Sequence, residues 1–80
     1  MGKVNKKDAF PKLLGRRIRE FRIKKKLSLR ELGLLCDIEK SNIGRIENGR
    51  TVPTVSTLRR ICNSLEISLK ELFDFEDEAF

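Results

Sequence analysis

The chain has 80 residues, enough for one small domain with a single core. It has no histidine, and its two cysteines lack metal-ligand spacing, which excludes an ordinary zinc site and removes the commonest general base of catalysis. Lysine and arginine outnumber aspartate and glutamate by 18 to 12, and with four acids held in the last seven residues, residues 1–73 carry a net charge of +10.

In chain order, residues 1–8 read as a flexible basic arm with Lys3, Lys6 and Lys7. Asp8 is a candidate N-cap, and Pro11 suits a first helical turn, where its missing amide hydrogen has no intrahelical partner. Phe10, Leu14, Ile18 and Phe21 then recur at helical spacing and define one apolar face. Lys24, Lys25 and Lys26 close this first helix, where cations suit the macrodipole. Ser28-Leu29-Arg30-Glu31 has the spacing of a capping box and opens a second helix. Leu29, Leu32, Leu35 and Cys36 form its expected apolar side. Asp37 breaks the pattern, and Ile38 is expected to plug the core from the turn.

A third helix is predicted over 39–48, ended by Asn48-Gly49. Thr54 can cap a fourth, with Val55, Leu58, Ile61, Cys62 and Leu65 on one face. Ser68-Leu69-Lys70-Glu71 is a second capping box and opens a short fifth helix with Leu69, Leu72 and Phe73. Residues 74–80 read as an acidic tail, leaving 9–73 as the domain. No strand pattern and no internal repeat is visible, so the fold class is all-α, a compact bundle of five helices.

The third helix poses the functional question. At about 100° per residue from Ile43, Ser41 falls at about 160°, Asn48 at about 140° and Arg45 at about 200°. These side chains point away from the isoleucines, with Lys40 and Gly44 beside them. Arg, Lys, Ser and Asn are the side chains that read base edges in the major groove, which is wide enough for a helix. The bland alternative is a solvated helix face. The preceding short helix, the tight turn and the basic body favour reading.

Residues 14–73 resemble the phage-repressor-like helix-turn-helix domain, the Cro/lambda-repressor-like or XRE family. The resemblance rests on Leu14-Gly15-Arg16-Arg17-Ile18-Arg19-Glu20-Phe21-Arg22, Leu27-Ser28 and Glu31-Leu32. It continues through Ile43, Arg45-Ile46-Glu47-Asn48-Gly49, Pro53, Leu58 and Ser68 to Phe73. It implies a five-helix lambda-repressor-like fold, with 29–36 as positioning helix and 39–48 as recognition helix. It places Lys40, Ser41 and Arg45 at base-edge contacts, and Glu39, Asn42, Asn48 and Arg50 at further base or phosphate contacts. Arg22 and Glu47 match a structural ion pair of the family. Ile67, Leu69, Phe73 and Phe75 fall at the end that often forms a two-fold dimer. The chain departs from the family at Leu29, where a phosphate-binding Gln is usual, and at Glu39, where a small polar cap is usual. A carboxylate at Glu39 repels phosphate but can accept from a cytosine amine.

The expected function is therefore sequence-specific binding of double-stranded DNA by a transcriptional regulator, as a homodimer on an inverted-repeat operator. An alternative is a protein-interaction module, such as an antitoxin or anti-repressor partner, using the C-terminal helix. RNA binding is a third reading, weakened by the lack of exposed aromatics for stacking. No enzyme activity, cofactor, metal or membrane partner is expected: there is no Gly-rich phosphate loop, no apolar run of about 20 residues and no secretory signal. Cys36 and Cys62 suit small buried hydrophobes in a reducing cytoplasm.

Overall fold

The computed structural model describes residues 8–76, and the arm over 1–7 and the tail end over 77–80 lie outside the described residues. Five helices follow one another: α1 (Phe10–Lys24), α2 (Leu29–Cys36), α3 (Lys40–Glu47), α4 (Val55–Leu65) and α5 (Leu69–Leu72). The core is continuous and draws on every helix, with Leu14, Ile18, Leu32, Ile43, Ile46, Leu58, Ile61, Leu65 and Leu72 all buried. Phe10, Phe21, Leu27, Leu29, Ile38, Ile67, Leu69 and Phe75 pack against it from the edges.

The helix starts follow the local sequence closely. Ser28 Oγ accepts from the Glu31 amide while Glu31 accepts from the Ser28 amide, a complete capping box. Ser68 and Glu71 repeat it on α5, and Thr54 caps α4 through the Thr57 amide. At α1 the assigned cap is Ala9, one residue later than the sequence pattern indicates. Asp8 still supplies the chemistry, accepting from the Phe10 amide at 3.0 Å.

Four of the five helices end by one device. Lys26, Asp37 and Glu66 adopt left-handed backbone at φ near 58°, and Gly49 does so at φ 72°. In each case the next amide reaches back to a carbonyl of the last turn: Leu27 to Arg22, Ile38 to Gly33, Ile67 to Cys62 and Arg50 to Arg45. These are Schellman closures, and three of the four use a residue with a Cβ. They keep the connections short, so α2 and α3 meet across three residues.

Glycines set how closely the helices approach. A Cβ on Gly15 would run into the carbonyls of Ile46 and Glu47, so α1 and the end of α3 touch backbone to backbone. A Cβ on Gly33 would meet the carbonyl of Ile38, which lets the turn after α2 fold flat against it. Two apolar residues expected inside are outside: Leu35 is 60% exposed and Val55 is 71% exposed. On α2 the covered arc centres on Leu32, Gly33 and Cys36, which turns Leu35 to the far side. At Val55, the first residue of α4, no neighbour among the described residues closes over the side chain.

Candidate nucleic-acid interface

The third helix is held from behind and left bare in front. Ile43 and Ile46 are buried and fix its inner face. Its far end is tied by Arg22, whose Nε donates to Glu47 Oε2 at 2.7 Å and whose Nη2 donates to Glu47 Oε1 at 3.0 Å. A third donation, from Arg22 Nη1 to the Leu27 carbonyl at 2.8 Å, brings the loop before α2 into the same network. The pair is largely shielded, with 12% and 6% side-chain exposure. The bonds donated to Glu47 hold the Arg22 guanidinium above its ordinary pKa.

The near end is fixed from α4. Arg60 donates to the Cys36 carbonyl from Nε and Nη2, at 3.1 and 2.7 Å, and to the Asp37 carbonyl at 2.7 Å. These are the carbonyls that the end of α2 leaves without intrahelical partners. A single side chain thus clamps the turn between α2 and α3. Periodicity gives no sign of Arg60's role, because its partners are backbone atoms more than twenty residues away.

The outer face of α3 contrasts with this. Glu39, Lys40, Ser41, Arg45, Asn48 and Arg50 are exposed, and Asn42 is half-buried. Among the described residues, no hydrogen bond or ion pair occupies any of these side chains. Glu39 stands at the N-cap in extended backbone, yet its carboxylate accepts no amide of the first turn. The structure thus brings Ser41, Arg45 and Asn48 onto one open surface, with Lys40 and Glu39 at its leading end and Arg50 just past its other end. Three positive groups, two amides, one hydroxyl and the Glu39 carboxylate lie there, with no nucleophile–base pair and no thiolate among them. Both cysteines are buried and free, and burial pushes their thiols above the usual pKa.

Two short helices joined by a tight turn, the second presenting a bare polar face, define a helix-turn-helix domain. A helix-turn-helix family model, HTH_3, matches residues 18–72. The chain belongs to this family, whose members are regulators rather than enzymes. It is 38% identical over 65 residues to the HTH-type transcriptional regulator SlrR of Bacillus subtilis, a match covering 80% of this chain and 43% of SlrR. The chain spans about half the length of the curated relatives it matches. Among solved structures, it superposes on the restriction-modification controller protein C.AhdI of Aeromonas hydrophila with a TM-score of 0.80 and 31% identity. That match covers 81% of this chain and 98% of the other. The biofilm master regulator SinR, solved in complex with DNA, gives a TM-score of 0.71 at 34% identity, over 76% of this chain and 98% of that one.

Proposed function

We propose that the protein is a cytoplasmic transcriptional regulator that binds duplex DNA sequence-specifically, with α3 in the major groove. The observation that carries this reading is the outer face of α3, rigidly backed and without internal partners. Polar side chains cost conformational entropy to order, and these gain no compensating bond among the described residues. A groove offers them partners of matching chemistry: Arg45 can fork onto guanine, Lys40 onto guanine acceptors, and Ser41 onto either kind of edge. Asn42, Asn48 and Arg50 suit adjoining bases or phosphates, and Glu39 suits a cytosine amine. The similarity to SinR, solved in complex with DNA, supports DNA as the partner.

The regulator acts as a homodimer on an inverted repeat, with half-sites about one helical turn apart. Phe10, Phe73 and Phe75 cluster at one end of the domain, with ring centroids 5.9 to 6.4 Å apart. Phe73 remains 39% exposed there, beside half-buried Ile67 and Leu69. An exposed apolar surface suits an isologous contact. The same exposure favours the competing reading, a module that docks another protein through α5. Pull-down of a partner that needs Phe73 but not Arg45 would decide for it.

Selection of bound duplexes from a random pool at moderate salt tests the main reading. An inverted repeat is expected to emerge. Arg45→Ala is then expected to keep the fold and to relax preference at one base pair by about 1–3 kcal/mol. Unchanged base preference in that variant would remove Arg45 from the reading set.

A further inference from the structure

The turn between α2 and α3 is flanked by two open clefts. One, of about 360 Å³, lies between the turn, Asn42 and Ile46 of α3 and Thr57 of α4. The other, of about 550 Å³, lies between the turn, Arg30, Gly33 and Leu34 of α2 and Lys40 of α3. The first cleft separates the leading half of α3 from α4. The leading end also lacks a side-chain cap, because Glu39 bonds no amide of the first turn. The far end is held differently, by the Arg22–Glu47 pair and by the carbonyls seated on Gly15.

Arg60 reaches the turn from α4. Among the described residues it is the side chain whose hydrogen bonds tie this turn to another element. Its guanidinium spans the carbonyls of Cys36, the last residue of α2, and Asp37, the left-handed cap. The chain changes direction at these two peptide units, so their orientation sets the angle between α2 and α3. A planar fork on two successive carbonyls fixes that orientation, which a single ammonium does not. The Arg60 side chain is itself 47% exposed. Water can therefore replace it on the carbonyls, and the fold does not depend on it.

We infer that Arg60 is a positioning residue for base reading. It fixes the leading end of α3, and with it Lys40 and Ser41, whereas Arg45 is placed by the far end. This rests on α3 being the DNA-reading helix. Discrimination needs donors within hydrogen-bond distance of base edges, and Ser41 is too short to make up a shift of its own backbone. Loss of Arg60 thus blurs one end of the reading face and spares the other. A general loss of stability would weaken both ends alike.

The test uses the full chain and the duplex that it selects. Lys40→Ala, Ser41→Ala and Arg45→Ala first assign the base pair that each side chain reads. Arg60→Ala is expected to stay helical by circular dichroism at the assay temperature. Its discrimination at the Lys40 and Ser41 pairs is expected to fall about fivefold or more, the effect of losing one good contact to a base edge. Discrimination at the Arg45 pair is expected to change by no more than about twofold, as for independent sites. The slope of log affinity against log salt is expected to hold, because Arg60 binds carbonyls rather than phosphate. Arg60→Lys keeps the charge and loses the fork, and is expected to match Arg60→Ala at both ends. Should Arg60→Ala unfold, Arg60→Lys carries the same comparison. Equal losses at the two ends, no loss at either, or full rescue by lysine overturn the positioning role. So does a salt slope shallower by about 0.9, which marks a direct phosphate contact. Base preference unchanged in all three α3 variants overturns the reading assignment itself, and this inference with it.

Discussion

Left-handed residues with side chains mark where this chain gives up stability. Lys26, Asp37 and Glu66 all close helices in a conformation that glycine adopts without steric cost. Lys26 is exposed and its side chain has no partner among the described residues. Lys26→Gly is expected to stabilise the fold by about 1 kcal/mol, read as a higher urea midpoint at unchanged slope. The opposite holds at Gly15, where the obstacles to a Cβ are carbonyls of Ile46 and Glu47 rather than flexible side chains. Gly15→Ala must push α1 away from α3, and a loss of several kcal/mol is expected, at the upper end of single-site effects. The thiols of Cys36 and Cys62 supply a probe for both variants. They are buried, and their raised pKa keeps them protonated near neutral pH. Labelling by a thiol reagent is expected to be slow in the native chain and to accelerate in step with the fraction unfolded.

At the scale of the element, the capping boxes were plain in the sequence because they are local. Ser28 and Glu31 stand three residues apart, and nothing distant is needed to complete the bonds. Ser28→Ala is expected to cost about 1 kcal/mol. The same box makes α2 sensitive to acid. Hydrogen bonds from the Ser28 amide and hydroxyl depress the pKa of Glu31. A depressed carboxylate stabilises the fold above its unfolded pKa, and that contribution disappears as pH falls through the lower folded value. Amide exchange in the first turn of α2 should therefore speed up below the ordinary carboxylate range in the native chain. In Glu31→Gln the extra acid sensitivity should be absent. The limits of the sequence lie in tertiary geometry. Periodicity gave α2 an apolar side but not which arc of it would be covered, so Leu35 was placed inside. Gly33 decides that arc, through a backbone contact with Ile38 that no spacing rule encodes. The outer face of α3 was legible from Ile43 and Ile46, whereas the Arg60 clamp that steadies it was not. Arg22 and Glu47 were paired only through family resemblance, being 25 residues apart.

For the whole molecule, that ion pair joins α1, the loop before α2 and the end of α3. A domain of this size has a total stability of roughly 4–12 kcal/mol. Breaking a shielded pair from one side costs about 3–5 kcal/mol. Arg22→Ala is therefore expected to leave a large unfolded fraction near physiological temperature, visible by circular dichroism. Replacing both partners, as Arg22→Met with Glu47→Leu, is expected to recover much of the loss, since neither charge is then stranded. A double variant no better than the singles would show that the bond to the Leu27 carbonyl matters more than the pair.

The third helix is seated by contacts that its outer side chains do not share. Carbonyls of Ile46 and Glu47 rest on Gly15, the turn rests on Gly33, and Lys12 closes over Gly49. The seat is thus indifferent to what stands at Lys40, Ser41 or Arg45. If α3 reads DNA as proposed, exchanges at those positions are expected to alter what is recognised without disturbing how the chain folds. On the proposed reading, DNA preference can accordingly drift through single substitutions, each retaining a folded protein, and related chains can diverge in their targets while their architecture stays still. For the engineer, the same division makes this scaffold a host for transplanted reading faces.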